Sequence, residues 1–159
     1  MIRYLAAVLL LLVPQLHAET QDIAGKVVGV HDGDTLTVLT VDKVQVKVRL
    51  EGIDAPEFKQ AFGNKSKQAL SKLTYRKEAV VHVNGHDRYR RTLGRVEVAG
   101  VDINLQMTKD GLAWHFVKYS KDTALAKAQA DAMSAKRGLW KDAAPVAPWD
   151  FRKPKAAKE

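Results

Sequence analysis

The sequence predicts an α+β fold: a mainly β, five-stranded Greek-key barrel of the OB type carrying about three helices. Two observations predict it. Residues 23–50 are rich in Val, Thr and Leu and alternate with a period of two, the pattern of strands exposing one face to a core and the other to solvent. After Pro56 the period lengthens to that of a helix, and strand-like runs and then helical spacing follow to the end of the domain.

The elements follow in order. IAGKVVGV (23–30), TLTVLTV (35–41) and VQVKVRL (44–50) read as three strands joined by tight Asp-Gly and Asp-Lys turns. In the third, Val44, Val46, Val48 and Leu50 face one way and Gln45, Lys47 and Arg49 the other. FGNKSKQALSKL spaces Phe62, Ala69, Leu70 and Leu73 on one helical face, with lysines opposite. AVVHV and LGRVEV supply strands four and five. Asn104 is placed to cap a short helix that Gly111 ends, and Asp122 or Thr123 to start a longer, Ala-rich one that stops at Gly138. The barrel domain thus spans 19–142. Residues 143–159 are proline-broken and basic, and read as an extended, disordered tail.

Composition bounds the function. Residues 1–18 combine Arg3, an apolar run from Leu5 to Val13 and the small-residue context Leu16-His17-Ala18, the pattern of a cleaved secretory signal. The run is too short to span a bilayer, which takes roughly 20 apolar residues. The expected product is therefore exported, periplasmic or secreted, with no stable membrane span and a monomeric domain. The absence of cysteine excludes disulfides, thiol nucleophiles and Cys-based zinc sites, so packing alone must hold it. The net charge of +8 points to a polyanionic partner: nucleic acid, lipopolysaccharide or acidic polysaccharide.

Against that charge, Asp32, Asp34, Glu51, Asp54 and Glu57 gather in a short stretch. Taken alone, HDGDT is a hairpin turn, which accounts for Asp32 and Gly33 but not Asp34. IDAPE alone is an ordinary chain reversal. Together, Asp34, Arg49, Asp54 and Glu57 fall near the ends of adjacent strands. Two aspartates and a main-chain carbonyl make an incomplete oxygen cage for a hard cation such as Ca²⁺, leaving positions for water. DRYRRTLGR interleaves Arg88, Arg90, Arg91 and Arg95 with Tyr89. With Arg49 it offers guanidinium forks suited to a phosphodiester, and a groove binding single strands would use the same run.

VHDGDTLTV, VRLEGIDAPE, FGNKSKQAL, DRYRRTLGRV, LAWHFVKYS and AKRGLW, in this order and at these separations, resemble the staphylococcal nuclease (thermonuclease) family. The likeness covers most of residues 23–140. It implies an OB barrel and a Ca²⁺-dependent phosphodiesterase acting on DNA and RNA, with 5′-hydroxyl and 3′-phosphate products. By motif it makes Asp34 and Asp54 the calcium carboxylates, with the main-chain carbonyl of Ala55 beside them where the family often has Thr. Glu57 matches the catalytic glutamate, and Arg49 and Arg91 the catalytic arginines. Tyr89 and Tyr119 match nucleotide contacts, and Arg88 is a candidate phosphate contact. Arg90 departs from the family, which commonly has Gly there, a residue that signals unusual backbone angles. The rival readings are a catalytically silent OB module that binds single strands and an exported binder of anionic polysaccharide or membrane surface. His82, His86 and His115 lack metal-ligand spacing and read as packing or surface residues. Trp114 and Trp140 are assigned to the core.

Overall fold

The computed structural model describes residues 22–154; the signal-like segment 1–18 and the last five residues lie outside them. Three strands, β1 (Ile23–Val30), β2 (Thr35–Thr40) and β3 (Gln45–Leu50), form an antiparallel meander. A two-residue strand, β4 (Ile53–Asp54), and helix α1 (Gly63–Thr74) lead to β5 (Glu78–His86) and β6 (Thr92–Val98). β1 pairs with β5 and β5 with β6, both antiparallel. The circle closes where β6 runs parallel to β3, with Val48 opposite Thr92 and Leu50 opposite Gly94. The result is a closed five-stranded barrel with its edges paired to each other.

Alternation holds within β3 and β6, though Val44, expected on the inner face, lies before β3 and is exposed, and β2 is buried on both faces at its start. Val27, Leu36, Val38, Val48, Leu50, Val81 and Val96 are all fully buried in the barrel. Leu70 of α1 closes one end. Ile103 and Met107 of helix α2 (Ile103–Lys109), which follows the short strand β7 (Val101–Asp102), cover another side together with Leu125 of α3 (Thr123–Ser134). Losing a side chain such as Leu70 to alanine should cost about 2–5 kcal/mol. The short strand β8 (Trp114–His115) pairs with β4, placing Trp114 opposite Asp54. A 3₁₀ turn over Gly138–Lys141 brings Leu139 and Trp140 into a second cluster with Ala132, against which Phe62 and Trp114 pack.

Three expectations are corrected. Asn104 does not cap α2; Asp102 does, accepting from the Leu105 amide at 2.9 Å. Asn104 is fully buried instead, accepting from the Val96 amide at 3.0 Å and donating to the Glu51 carbonyl at 2.8 Å, so it ties α2 to the barrel wall. Helix α3 is capped by Asp122 as expected, but it ends at Ser134, four residues before Gly138. The described part of the tail is not a disordered extension. Pro148–Phe151 form a helical turn, α4, with proline at its start; Ala147 and Pro148 are buried, and Trp149 stacks on Phe116 with ring centres 5.1 Å apart. Pro148 starts the turn, and the apolar residues beside it have a surface to cover. Among the described residues there are four α-helices beside the 3₁₀ turn, in keeping with the about three expected. Among the described residues no helix is long and apolar enough to cross a membrane.

Candidate active-site cleft

Asp34 ends the loop between β1 and β2. Asp32 accepts from its amide at 3.0 Å, a local turn bond that holds the loop. Gly33 is needed for space, since a β-carbon there would lie 2.6 Å from the side chains of both Ala55 and Ser66. Hairpin chemistry accounts for the turn, but the glycine lets it press on β4 and α1. The Asp34 carbonyl accepts from the Leu50 amide at 2.8 Å, joining the loop to the end of β3.

Arg49 lies on the polar face of β3, as alternation predicts, yet its side chain is only 12% exposed because the 53–55 segment folds over it. Nη1 donates to the carbonyls of Leu50 and Ile53, both at 2.9 Å. Nη2 bridges the two aspartates, 2.9 Å from Asp54 Oδ1 and 3.1 Å from Asp34 Oδ2. Asp34 Oδ2 also accepts from the Ala55 amide at 2.6 Å. Asp34 and Asp54 are both buried, which is tolerated because each is paired and hydrogen-bonded. Burial is the largest influence on Asp34 and pushes its carboxyl up to about 7, against the pull of Arg49 and the Ala55 amide.

Glu57 stands two residues beyond Ala55, its side chain 40% exposed. Its backbone is fixed by the approach of α1: a β-carbon on Gly63 would fall 1.9 Å from the Glu57 carbonyl oxygen, so only glycine fits. Across the cleft, the loop 87–91 joins β5 to β6 after a bulge between Val83 and His86. Asp87 organises it, accepting from the amides of Tyr89 at 2.8 Å and Arg91 at 2.9 Å and from Arg91 Nε at 2.7 Å. Burial opposes ionisation of Asp87, but these bonds outweigh it and hold the carboxyl below the usual range. Arg90 adopts φ 62°, the left-handed backbone that the family's glycine would take without strain.

These elements enclose one cleft of about 750 Å³. Asp34, Arg49, Asp54, Ala55, Glu57, Arg88, Tyr89, Arg91 and Tyr119 all line it, whereas Arg95 pairs with Asp102 and Asp122 outside it. Tyr89 and Tyr119 stand largely exposed at its mouth, Tyr89 beneath the Arg88 guanidinium at 4.8 Å and Tyr119 edge-on to Phe116. Glu51 instead accepts from Asn84 at the rim. His82 pairs with Asp22 at 2.9 Å on the far side of the barrel wall, and His115 is buried beneath α3.

Sequence reasoning missed two participants. Asp87 was signalled by its place four residues before Arg91 in a loop, where an Asp commonly bonds to following amides. Arg152 carried no local signal. It reaches back from the tail, with Nη2 2.7 Å from Asp54 Oδ2 and Nη1 2.7 Å from Glu57 Oε1.

The donor chemistry fits a hard divalent cation incompletely. Among the described residues no three Asp, Glu or His groups form a closed cage. The oxygens of Asp34 and Asp54 are nonetheless buried, adjacent, and already drawn onto guanidinium cations, as expected for a half-site that water or substrate would complete.

A closed OB barrel with helices packed outside it, and buried carboxylates facing arginines across one cleft, defines the class: an OB-fold α+β protein with an acid–arginine site. The chain belongs to the staphylococcal nuclease family. The family model described as staphylococcal nuclease homologue matches residues 47–142. A Haemophilus influenzae protein named as an uncharacterized endonuclease is 47% identical over 128 residues, covering 80% of this chain and 72% of its own. An Escherichia coli protein of the same description is 43% identical over 132 residues, covering 82% and 86%. A Shigella flexneri micrococcal nuclease is 38% identical over 143 residues, covering 83% and 82%.

Proposed function

We propose that this chain is an exported, calcium-dependent nuclease that hydrolyses the phosphodiester bonds of DNA and RNA, leaving 5′-hydroxyl and 3′-phosphate ends. The observation that carries the reading is the convergence of Asp34, Asp54 and Glu57 with Arg49 and Arg91 on a single cleft. Family membership and the names of the relatives support nuclease action. The oxygen-only donor set and the family resemblance support calcium, and the signal-like first 18 residues support export.

Asp34 and Asp54 would hold the cation, with Ala55 as the main-chain donor. When bound, the metal supplies Lewis-acid polarisation of a phosphoryl oxygen. Glu57 reaches the same cleft from a partly solvated position, suited to orient a water and take its proton as the water attacks phosphorus in line. The bond from phosphorus to the 5′ oxygen then breaks, that oxygen takes a proton from solvent to leave as the 5′-hydroxyl, and the phosphate stays on the 3′ side. Arg49, fixed by two carbonyls, and Arg91, fixed by Asp87, present cationic groups to the charge that develops on the phosphoryl oxygens. Holding both forks in place beforehand avoids reorganisation during the step. Tyr89, Tyr119 and Arg88 at the mouth offer stacking faces and charge to the flanking nucleotides.

The test is purified protein on supercoiled plasmid and on single-stranded DNA, with Ca²⁺ and with EDTA. Cleavage in Ca²⁺ that stops in EDTA is expected, with Mg²⁺ a poor replacement because it demands tighter octahedral geometry. Retarded but intact DNA under all conditions would instead establish a silent binding module. Equal cleavage in EDTA would remove calcium from the mechanism.

A further inference from the structure

Near its end, the described chain places a cation on Asp54, a carboxylate that the proposed metal would need, and on the neighbouring Glu57. Residues 145–152 form an arm that crosses the lip of the cleft. It is anchored by the buried Ala147 and Pro148, by the Gln60 side-chain amide donating to the Val146 carbonyl at 2.5 Å, and by Trp149. The Trp149 ring stacks on Phe116 with an interplanar angle of 2° and meets Trp114 edge-on at 5.6 Å. So held, Arg152 takes both oxygens of Asp54, Nη2 to Oδ2 at 2.7 Å and Nη1 to Oδ1 at 3.2 Å, and the Glu57 carboxylate at 2.7 Å.

We propose that this arm is an intramolecular gate: the Arg152 guanidinium stands in for the divalent cation at Asp54 while also holding Glu57, and must leave before metal and substrate can enter. The proposal rests on the preceding reading that Asp34 and Asp54 take a divalent ion. Three observations carry it. A bidentate guanidinium uses the lone pairs of Asp54 that a metal would need, so the two occupants compete. Without a cation there, the buried Asp54 would have only Arg49 beside it, with Asp34 and Glu57 close by, so Arg152 compensates charge in the metal-free protein. The contact is also releasable, because the Arg152 side chain is 43% exposed and sits at the end of a four-residue turn. The aromatic anchor ties release to the cleft mouth, since Phe116 contacts Trp149 on one side and Tyr119, a cleft residue, at 4.8 Å on the other.

The direct test is calorimetric titration of calcium chloride into the full-length chain and its Arg152→Gln and Arg152→Lys variants, without nucleic acid. Removing a two-pronged competitor for the buried Asp54 oxygens should let Arg152→Gln bind Ca²⁺ about three- to tenfold more tightly. Arg152→Lys, which keeps the charge but loses the fork, should fall between. Tryptophan emission of the wild type should shift on Ca²⁺ addition, and Trp149→Phe should abolish that shift. Equal or weaker Ca²⁺ binding by Arg152→Gln would overturn the gate and leave the metal reading intact. No Ca²⁺ binding by any of the proteins would overturn both. A Trp149 signal indifferent to Ca²⁺ would overturn the coupling of the arm to the site.

Discussion

Arg152 and Asp54 lie 98 residues apart in the chain and form a two-pronged ion pair in the cleft, with the shorter contact at 2.7 Å. The family match ends at residue 142, so the segment beyond it, which carries no motif, still contributes a side chain to the site. The pair also draws Arg152 further above its ordinary pKa, first through the hydrogen bond to Asp54. The arm is thus held by charge at its tip and by apolar packing at its base.

Glu57→Gln keeps the shape of the side chain and an oxygen to accept from Arg152, but it cannot take a proton from water. Turnover at saturating DNA should fall by about 10²–10⁴-fold, the usual contribution of a positioned base. Calcium binding and the thermal midpoint should change little. Single-turnover cleavage with calorimetry separates the two quantities. An unchanged kcat would remove Glu57 from the chemistry.

Arg91 and Arg90 should rank in opposite senses. Arg91→Ala removes a group needed mainly in the transition state and should lower kcat by about 10³-fold. Arg90→Gly frees a left-handed backbone from its side-chain penalty, so fold and turnover should hold while DNA affinity weakens slightly from the lost charge. Steady-state kinetics beside urea denaturation decide the matter. The reverse ranking would mean that Arg90, not Arg91, grips the phosphate.

Asp87 acts through Arg91. Asp87→Ala leaves the Arg91 guanidinium without its 2.7 Å partner and the loop without two amide bonds. The predicted result is a fall in kcat of about tenfold or more with little change in Ca²⁺ affinity. Asp87→Asn, which retains an oxygen for the amides, should recover part of it. A purely structural role would show the same stability loss for Asp87→Ala without the kcat change.

Asp122 links fold stability to pH. Burial works against its charge, but the amides of Leu125 and Ala124 and the Arg95 guanidinium at 2.6 Å more than offset this and lower its pKa. A carboxyl lowered in the folded state stabilises above its unfolded pKa, about 3.9, and that stabilisation is lost as pH falls through the folded value. Asp122→Ala should therefore cost about 1–2 kcal/mol at pH 7, with the gap to wild type shrinking below about pH 4. Urea midpoints at pH 7 and pH 3 measure it; an equal gap at both would show that ionisation of Asp122 contributes nothing.

By itself the sequence determined whatever depends on near neighbours. Val46, Val48 and Leu50 against Lys47 and Arg49 mark a strand through a period of two; Leu70 and Leu73 mark α1 through helical spacing; Asp122 caps α3 because its side chain serves amides two and three residues on. The ordered motifs brought Asp34, Arg49, Asp54, Glu57 and Arg91 to notice, although no short spacing shows that they meet. Their meeting depends on tertiary contacts: the parallel closure of β3 on β6 sets Arg49 opposite Leu93, and Gly33 and Gly63 let the acid loops approach. Asn104 had the chemistry of a cap, but burial beside Val96 and Glu51 gave it unpaired backbone groups to satisfy, and Asp102 took the end of the helix. Arg152 was the least legible. A proline-broken basic segment has no periodicity to read, and its Trp149 and guanidinium acquire partners only once the barrel has assembled Phe116, Asp54 and Glu57 into one surface.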